Sequence, residues 1–322
     1  MSDRKVVAVT GATGFIGQAL IHSLVRAGLQ PRLLVRRFPR GALRAGQPVE
    51  IVLGDLDEPA SLEKLLNGAD AVIHLAGLIK ASNAAAFFAA NAQGTERLLT
   101  IAGKINPKAA FLHVSSLAAR EPSLSPYAAS KRAGEEKVGK AAGGRPWLIL
   151  RPPAVYGPGD PATLPLFQAA TLGFVPYPAA PLARFSLIHV ADLAEAITRL
   201  TETLLSGSGL SGKCFEVDDG YPGGYQWPHL IAALRAATGR QVRSYRLPRW
   251  LMSTVAQLNG VKVHLTGRAE VLMPHKVAEL YHGNWVAEDG ALPADVRWRP
   301  EFDLTDGFQD TLRWYRLNSW VR

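Results

Sequence analysis

The sequence predicts an α/β protein, a doubly wound parallel sheet followed by a smaller, mostly helical C-terminal domain. Three observations point there. Short β-branched, apolar runs alternate with helical patterns across the first 150 residues, as crossovers between parallel strands require. Those runs lack the alternation of half-exposed strands, so both sheet faces are expected to be covered. A glycine-rich turn, "VTGATGFIGQAL", joins the first run to the first helix.

Strands are expected at 5–10, 31–36, 49–55, 71–77, 109–116 and 147–153, with helices near 15–28, 59–67, 84–103 and 125–142. The last of these begins "SPYAASKRAGE", where Ser125 reads as the N-cap and Pro126 as the first helical residue. Beyond 153, "VYGPGDPATLP" and "GFVPYPAAPLA" are rich in Pro and Gly and read as loops. "FSLIHV" reads as a strand leading into the helix "ADLAEAITRLTETLL", and "KCFEVDDG" as a strand that rejoins the main sheet. Four helices follow, "WPHLIAALRAATG", "LPRWLMSTVAQLNG", "MPHKVAELYHG" and "DLTDGFQDTLRWYR". The expected division is 1–168 for the sheet domain, with segments near 186–205 and 212–220 returning to it, and 169–322 mainly for the second domain.

Bulk composition narrows the function classes. Over 322 residues, 48% are apolar and 20% charged, ordinary for a globular chain. The single cysteine, Cys214, permits no internal disulfide, which fits the cytoplasmic location expected here. No apolar run reaches the roughly 18 residues of a spanning helix, so no integral membrane segment is expected. The start, "MSDRKVVAVTGATGFIG", reads as a buried strand and not as a leader. The balance of 36 basic and 27 acidic residues, net +9, can attract nucleic acid, anionic lipid or a phosphorylated small molecule. Basic residues concentrate only in "RLLVRRFPR" and "RSYRLPRW", without a nucleic-acid-binding signature, so no nucleic acid partner is expected. Basic residues flanking Trp250 and Leu251 raise membrane association, but core contact of both is the simpler expectation. His74, His113 and His189 read as satisfied core residues, and no spacing of ligand residues marks a metal site.

The glycine turn carries the first functional reading. Gly11 permits a tight turn, Gly14 lets backbone approach a pyrophosphate, and Gly17 allows close helix–sheet packing. The helix start offers N–H groups and a positive dipole to phosphates, so a dinucleotide site is expected. At the end of the second strand stand Arg36 and Arg37, where a NAD site would carry an acid. A guanidinium suits a 2′-phosphate, so NADP is expected over NAD.

Tyr127 and Lys131 stand four residues apart, one turn along the helix that Ser125 caps. Ser115 and Ser116 end the fifth strand at the same expected sheet edge. A free tyrosine has a pKa of about 10, and a nearby ammonium and an oxidised nicotinamide ring are both expected to lower it. Tyr127 can then exchange a proton with a substrate oxygen as hydride moves, while a serine hydroxyl holds that oxygen.

In this order "TGATGFIG", "GDL", "HLAG", "VSS", Tyr-x-x-x-Lys, "RPPAVYGPGD" and "HVADLAEA" resemble the extended short-chain dehydrogenases/reductases, the NAD-dependent epimerase/dehydratase family. The resemblance covers nearly the whole chain. It implies a Rossmann-type sheet and a cofactor held by Gly11, Thr13, Gly14, Phe15, Ile16 and Gly17. Asp55 and Leu56 would meet the adenine end, and Leu75, Ala76 and Gly77 the ribose and phosphates. Pro152, Pro153 and Val155 would line the nicotinamide. It implies Ser116, Tyr127 and Lys131 as catalytic residues, with Ser115 in reserve, and an Asn91 whose role is to tie backbone together or to assist catalysis. It also implies a small-molecule substrate and a possible homodimer through the Tyr127 helix.

Members of the family resembled either exchange cofactor at a ketone or alcohol, or epimerise and dehydrate nucleotide sugars on retained NAD. "RPPAVYG" lacks the asparagine common in sugar-nucleotide members, and Phe185 stands where they often place arginine. The loop 173–185 is apolar. These features favour an NADP-dependent reductase or dehydrogenase; a sugar epimerase or dehydratase with bound NAD is the alternative, and a non-catalytic cofactor-binding subunit the second.

Overall fold

A computed structural model describes residues 4–38, 48–207, 209–266, 273–288 and 291–321. In chain order the first half runs β1 (Val6–Thr10), α1 (Phe15–Arg26), β2 (Gln30–Val35), β3 (Glu50–Leu53), α2 (Pro59–Leu66), β4 (Ala71–His74), α3 (Ala84–Phe88), α4 (Gly94–Ile105), β5 (Ala110–Val114), α5 (Pro126–Ala141) and β6 (Trp147–Arg151). The second half runs β7 (Ala154–Tyr156), α6 (Leu164–Thr171), β8 (Phe174–Pro178), β9 (Arg184–Phe185), β10 (Leu187–His189), α7 (Val190–Leu205), β11 (Lys213–Glu216), α8 (Trp227–Thr238), β12 (Arg243–Leu247), α9 (Arg249–Thr266), α10 (Pro274–Leu280), β13 (Asn284–Trp285) and α11 (Leu304–Leu317).

The main sheet has seven parallel strands in the order β11-β6-β5-β4-β1-β2-β3, so "KCFEVDDG" does rejoin it beside β6. Strand order reverses between β1 and β4, and every strand delivers its C-terminal end to one edge. Helices cover both faces. On one, α1 and α7 bury Leu20, Leu24, Ile197 and Leu200 against Val7, Val9 and Ile73. On the other, Leu62, Leu65, Leu98, Leu99 and Val138 from α2, α4 and α5 meet Ala8, Val72 and Phe111. Strands buried from both sides explain the unbroken apolar runs.

The later segments build a separate core around Tyr156, Phe167, Val175, Leu234, Phe308 and Tyr315. Here the structure corrects the sequence reading. "FVPYP" is strand β8, paired in parallel with β12, and not a loop. Val175 and Tyr177 turn into this core, Tyr177 against the Trp227 ring, so the segment packs and does not wall the space beside Tyr127. "FSLIHV" divides into β9 and β10. The helix expected over 84–103 is broken by a π-helical turn at Ala89–Gln93. Trp250 and Leu251 are not core residues: both are exposed on α9.

Candidate active site

Because the sheet is all parallel, the ends of β1 to β6 meet along one edge. Gly11 turns the chain after β1 with φ +77°, and a Cβ there would lie 2.7 Å from the Ala76 nitrogen. Gly14 is the N-cap of α1 without a side-chain cap, which leaves the first-turn N–H groups facing outward for an anion. A Cβ on Gly17 would sit 2.3 Å from the Gly11 oxygen, so only glycine lets the helix lie this close to the turn. Thr13, Phe15 and Ile16 belong to the same cradle. Leu75, Ala76 and Gly77 follow β4 directly behind it, and a Cβ on Gly77 would meet Asn91 Oδ1 at 2.7 Å. The cradle fits a dinucleotide pyrophosphate, with backbone groups where a Cβ would block approach.

Arg36 and Arg37 lie exposed just past β2. Asp55 follows β3, its carboxylate accepting from the Asp57 N–H at 2.8 Å, and the adjacent Leu56 carbonyl accepts from Arg97. Pro152 is buried after β6, its carbonyl accepting from the Leu117 N–H at 2.8 Å, while Pro153 and Val155 are half-buried.

Ser116 caps a short turn of 3₁₀ helix, Leu117–Arg120, its hydroxyl accepting from the Ala118 N–H at 3.2 Å, and it lies close enough to Tyr127 to influence that phenol. Ser115 is buried and its hydroxyl has no hydrogen-bond partner. Across the edge, Ser125 caps α5 as expected, accepting from the Ala128 N–H at 3.0 Å, with Pro126 in the first turn. Lys131 is buried one turn beyond Tyr127, and its ammonium donates to the Val114 carbonyl at 2.9 Å. Asn91, in the π turn, accepts from the Leu78 N–H (2.7 Å) and donates to the Leu78 carbonyl (3.0 Å) and Ser130 Oγ (2.9 Å). It therefore ties backbone to α5.

Burial governs the ionisation of the pair. It pushes the Tyr127 phenol up to about 12; the Ser116 hydroxyl opposes this and the Glu279 charge adds to it. Burial also lowers Lys131 to about 8, partly countered by Glu135. Burial and the Glu279 charge thus both favour the protonated phenol of Tyr127.

Below the pair, His74 bonds Thr10 (2.7 Å) and Thr95 (2.9 Å), the satisfied core histidine expected, and burial lowers it to about 3. His113 stacks on it with neither ring nitrogen partnered, and His189 Nε2 likewise lacks a hydrogen bond. Arg151 grips buried Glu135 of α5 with two bonds of 2.8 and 2.6 Å. Arg120 donates to Glu216 (3.2 Å), the Val286 carbonyl (2.9 Å) and the Asn284 carbonyl (3.0 Å), joining the Ser116 turn to β11 and β13.

The sequence did not single out the neighbours of Tyr127. A space of about 10 Å³ beside it is lined by Ile79, Lys80, Ala81, Phe87, His275, Lys276 and Glu279. Phe87 lies 6.0 Å from the Tyr127 ring and 6.2 Å from His275. Glu279, buried, accepts from Ser125 Oγ and from Lys276 at 2.6 Å. The only advance signal was apolar "GLIKASNAAAFF" after β4. A larger cleft, about 370 Å³, lies between α1, the start of α7 and α11, away from Tyr127.

Fold and cradle together define a doubly wound enzyme built around a nucleotide cofactor. Residues 7–209 match the NAD dependent epimerase/dehydratase family, and the chain belongs to it, among the extended short-chain dehydrogenases/reductases. It is 40% identical over 318 residues to a ceramide reductase from Caulobacter vibrioides, covering 99% of this chain and 96% of that one. It is 29% identical over 233 residues to a 4-hydroxy-2-methyl-3-oxo-4-farnesyl-3,4-dihydroquinoline-1-oxide ketoreductase from Stigmatella aurantiaca, 66% and 68% of the two chains. The fold also matches dTDP-glucose 4,6-dehydratase from Streptomyces venezuelae, solved with NAD, at a TM-score of 0.73 and 23% identity, over 98% and 99%.

Proposed function

We propose that this protein is an NADP(H)-dependent reductase that converts a ketone on a ceramide-type lipid to a secondary alcohol. The observation that carries the reading is the placement of Tyr127 one turn from buried Lys131 on the helix that Ser125 caps, beside Ser116 at the sheet edge, where burial favours the protonated phenol. The similarity to a ceramide reductase along 99% of the chain supports the substrate class. So does the apolar approach, where Ile79 is 76% exposed and Leu78 stands beside it.

A bound reduced nicotinamide would supply hydride to the carbonyl carbon. Ser116 holds the substrate oxygen by a hydrogen bond, and Tyr127 Oη gives it a proton as charge develops there. Lys131, whose ammonium donates to the Val114 carbonyl, would hold the cofactor ribose and replenish the proton on Tyr127. Gly11, Gly14 and Gly17 with the α1 N-terminus hold the pyrophosphate, and Arg36 and Arg37 the 2′-phosphate. The division into a cofactor domain, 1–168 with the returning segments, and a substrate domain, mainly 169–322, belongs to this reading.

The test is oxidation of NADPH and of NADH by purified protein, with a keto form of ceramide in detergent micelles. Turnover with the lipid ketone, faster on NADPH, is the expected result. No turnover with either cofactor, together with interconversion of UDP- or dTDP-sugars by the protein as purified, sinks the reductase reading and favours the epimerase one.

A further inference from the structure

Helix α9 presents two apolar faces, and among the described residues only one is buried against the rest of the chain. At about 100° per residue, Trp250, Leu251, Thr254, Val255 and Leu258 fall on one side of the helix. Trp250 is 69% exposed and Leu258 65%, with Leu251 and Val255 exposed between them. Ala256 and Val263, on the opposite side, are buried and hold the helix to the protein. The inward face therefore accounts for folding, and the outward stripe needs another explanation.

Charge supplies it. From Gly220 to Ala269 the sequence has seven basic residues, Arg235, Arg240, Arg243, Arg246, Arg249, Lys262 and Arg268, and no Asp or Glu. That local +7 compares with +9 for the whole chain. Arg243, Arg246 and Arg249 lie exposed on β12 and at the start of α9. Arg246 donates to the Tyr177 hydroxyl and Arg249 lies over the Tyr281 ring, so neither contact neutralises its charge. Beside them Tyr245 of β12 and Phe174 of β8 are exposed as well. Tryptophan and leucine on an outward helix stripe, rimmed by arginines in a stretch of sequence without Asp or Glu, match the acyl–headgroup boundary of an anionic bilayer.

We propose that α9 and β12 form a docking surface for an anionic phospholipid membrane, on which the enzyme rests through Trp250, Leu251, Val255 and Leu258. α9 packs against α10, which carries His275 and Glu279 to Tyr127. Docking thus sets the membrane one helix away from the candidate active site. A second copy of the chain would bury the apolar stripe but would bring two arginine rims together.

The test is co-sedimentation of the full chain, loaded with NADPH, with vesicles of phosphatidylglycerol or of phosphatidylcholine. Binding to phosphatidylglycerol at least about tenfold tighter than to phosphatidylcholine is expected, weakening as salt rises toward about 0.15 M. Trp250→Ser with Leu258→Ser, and separately Arg243→Glu with Arg249→Glu, should each lower that binding on the order of tenfold. Both variants should keep wild-type turnover of a water-soluble ketone, which reports an intact fold. Equal affinity for the two vesicle types, or variants that bind like wild type, overturns the proposal. So does a dimer in analytical ultracentrifugation that Leu258→Ser dissolves, or capture of single-stranded RNA in place of vesicles. Vesicle binding is read without catalysis, so it stands or falls separately from the reductase reading.

Discussion

Ser125 and Glu279 are joined by a hydrogen bond, the hydroxyl that caps the Tyr127 helix donating to a buried carboxylate on α10. The Glu279 charge also faces Tyr127 and helps to hold its phenol protonated. Removing that charge makes the phenolate easier to form, so Glu279→Gln should move the basic limb of the kcat/KM profile for ketone reduction to lower pH. A residue that only anchors α10 would change stability and leave that limb where it is. The profile of wild type and variant, recorded side by side, decides between them.

Tyr127→Phe keeps the ring against Phe87 and removes the transferable proton. Turnover should fall by roughly 10²–10⁴-fold while cofactor binding holds. A variant that still reduces ketone at the wild-type rate excludes Tyr127 as the acid. Ser116→Ala should lose less, because the proton donor remains.

Burial lowers Lys131 to about 8 in the folded chain, below its usual value of 10.5. Between those two pH values the unfolded chain holds a proton that the native one has released, so stability from this group rises with pH across that window. The slope is at most about 1.4 kcal/mol per pH unit. Lys131→Met removes the group, so the wild-type advantage over the variant should grow by about 1–2 kcal/mol between pH values of about 7.5 and 9.5. Urea unfolding at both values measures it; an unchanged difference means the ammonium is not desolvated.

Gly17→Ala places a methyl 2.3 Å from the Gly11 oxygen, and backbone must give way. A loss of about 1–3 kcal/mol is expected, with weakened cofactor binding, because the displaced helix start is the phosphate cradle. Thermal unfolding with and without cofactor separates the two effects: the stabilisation that cofactor adds should shrink.

Arg36→Asp reverses the charge just past β2. Dissociation constants for the two cofactors should then shift toward NAD. Equal affinities in the wild type count against an NADP preference from these arginines.

Much of this architecture was legible in the chain. Strands covered on both faces leave unbroken apolar runs, and Gly11 and Gly17 stand where a Cβ cannot fit, so both reached the sequence as patterns. Ser125 and Pro126 marked their helix start by local chemistry alone. The surroundings of Tyr127 were not legible, since Ile79, Phe87, His275 and Glu279 come from distant segments and meet only after folding. The rise that burial and the Glu279 charge give the Tyr127 phenol was hidden for the same reason: the spacing to Lys131 was visible, but neither the burial nor the carboxylate was. Likewise β8 and β12, a two-stranded pair holding Pro176 and Pro178, carried turn residues that hid the strands. For α9 the error lay in assigning Trp250 and Leu251 inward.

Arg120 closes the short turn that begins at Ser116 and grips Glu216 of β11, Asn284 of β13 and the neighbouring Val286 together. One guanidinium thereby acts as a mechanical pin through the serine turn, the sheet edge and the C-terminal segment. If β13 swings outward, it either drags the serine turn with it or breaks two bonds to carbonyls. The position of the serine turn is therefore coupled, through one side chain, to the position of the C-terminal segment.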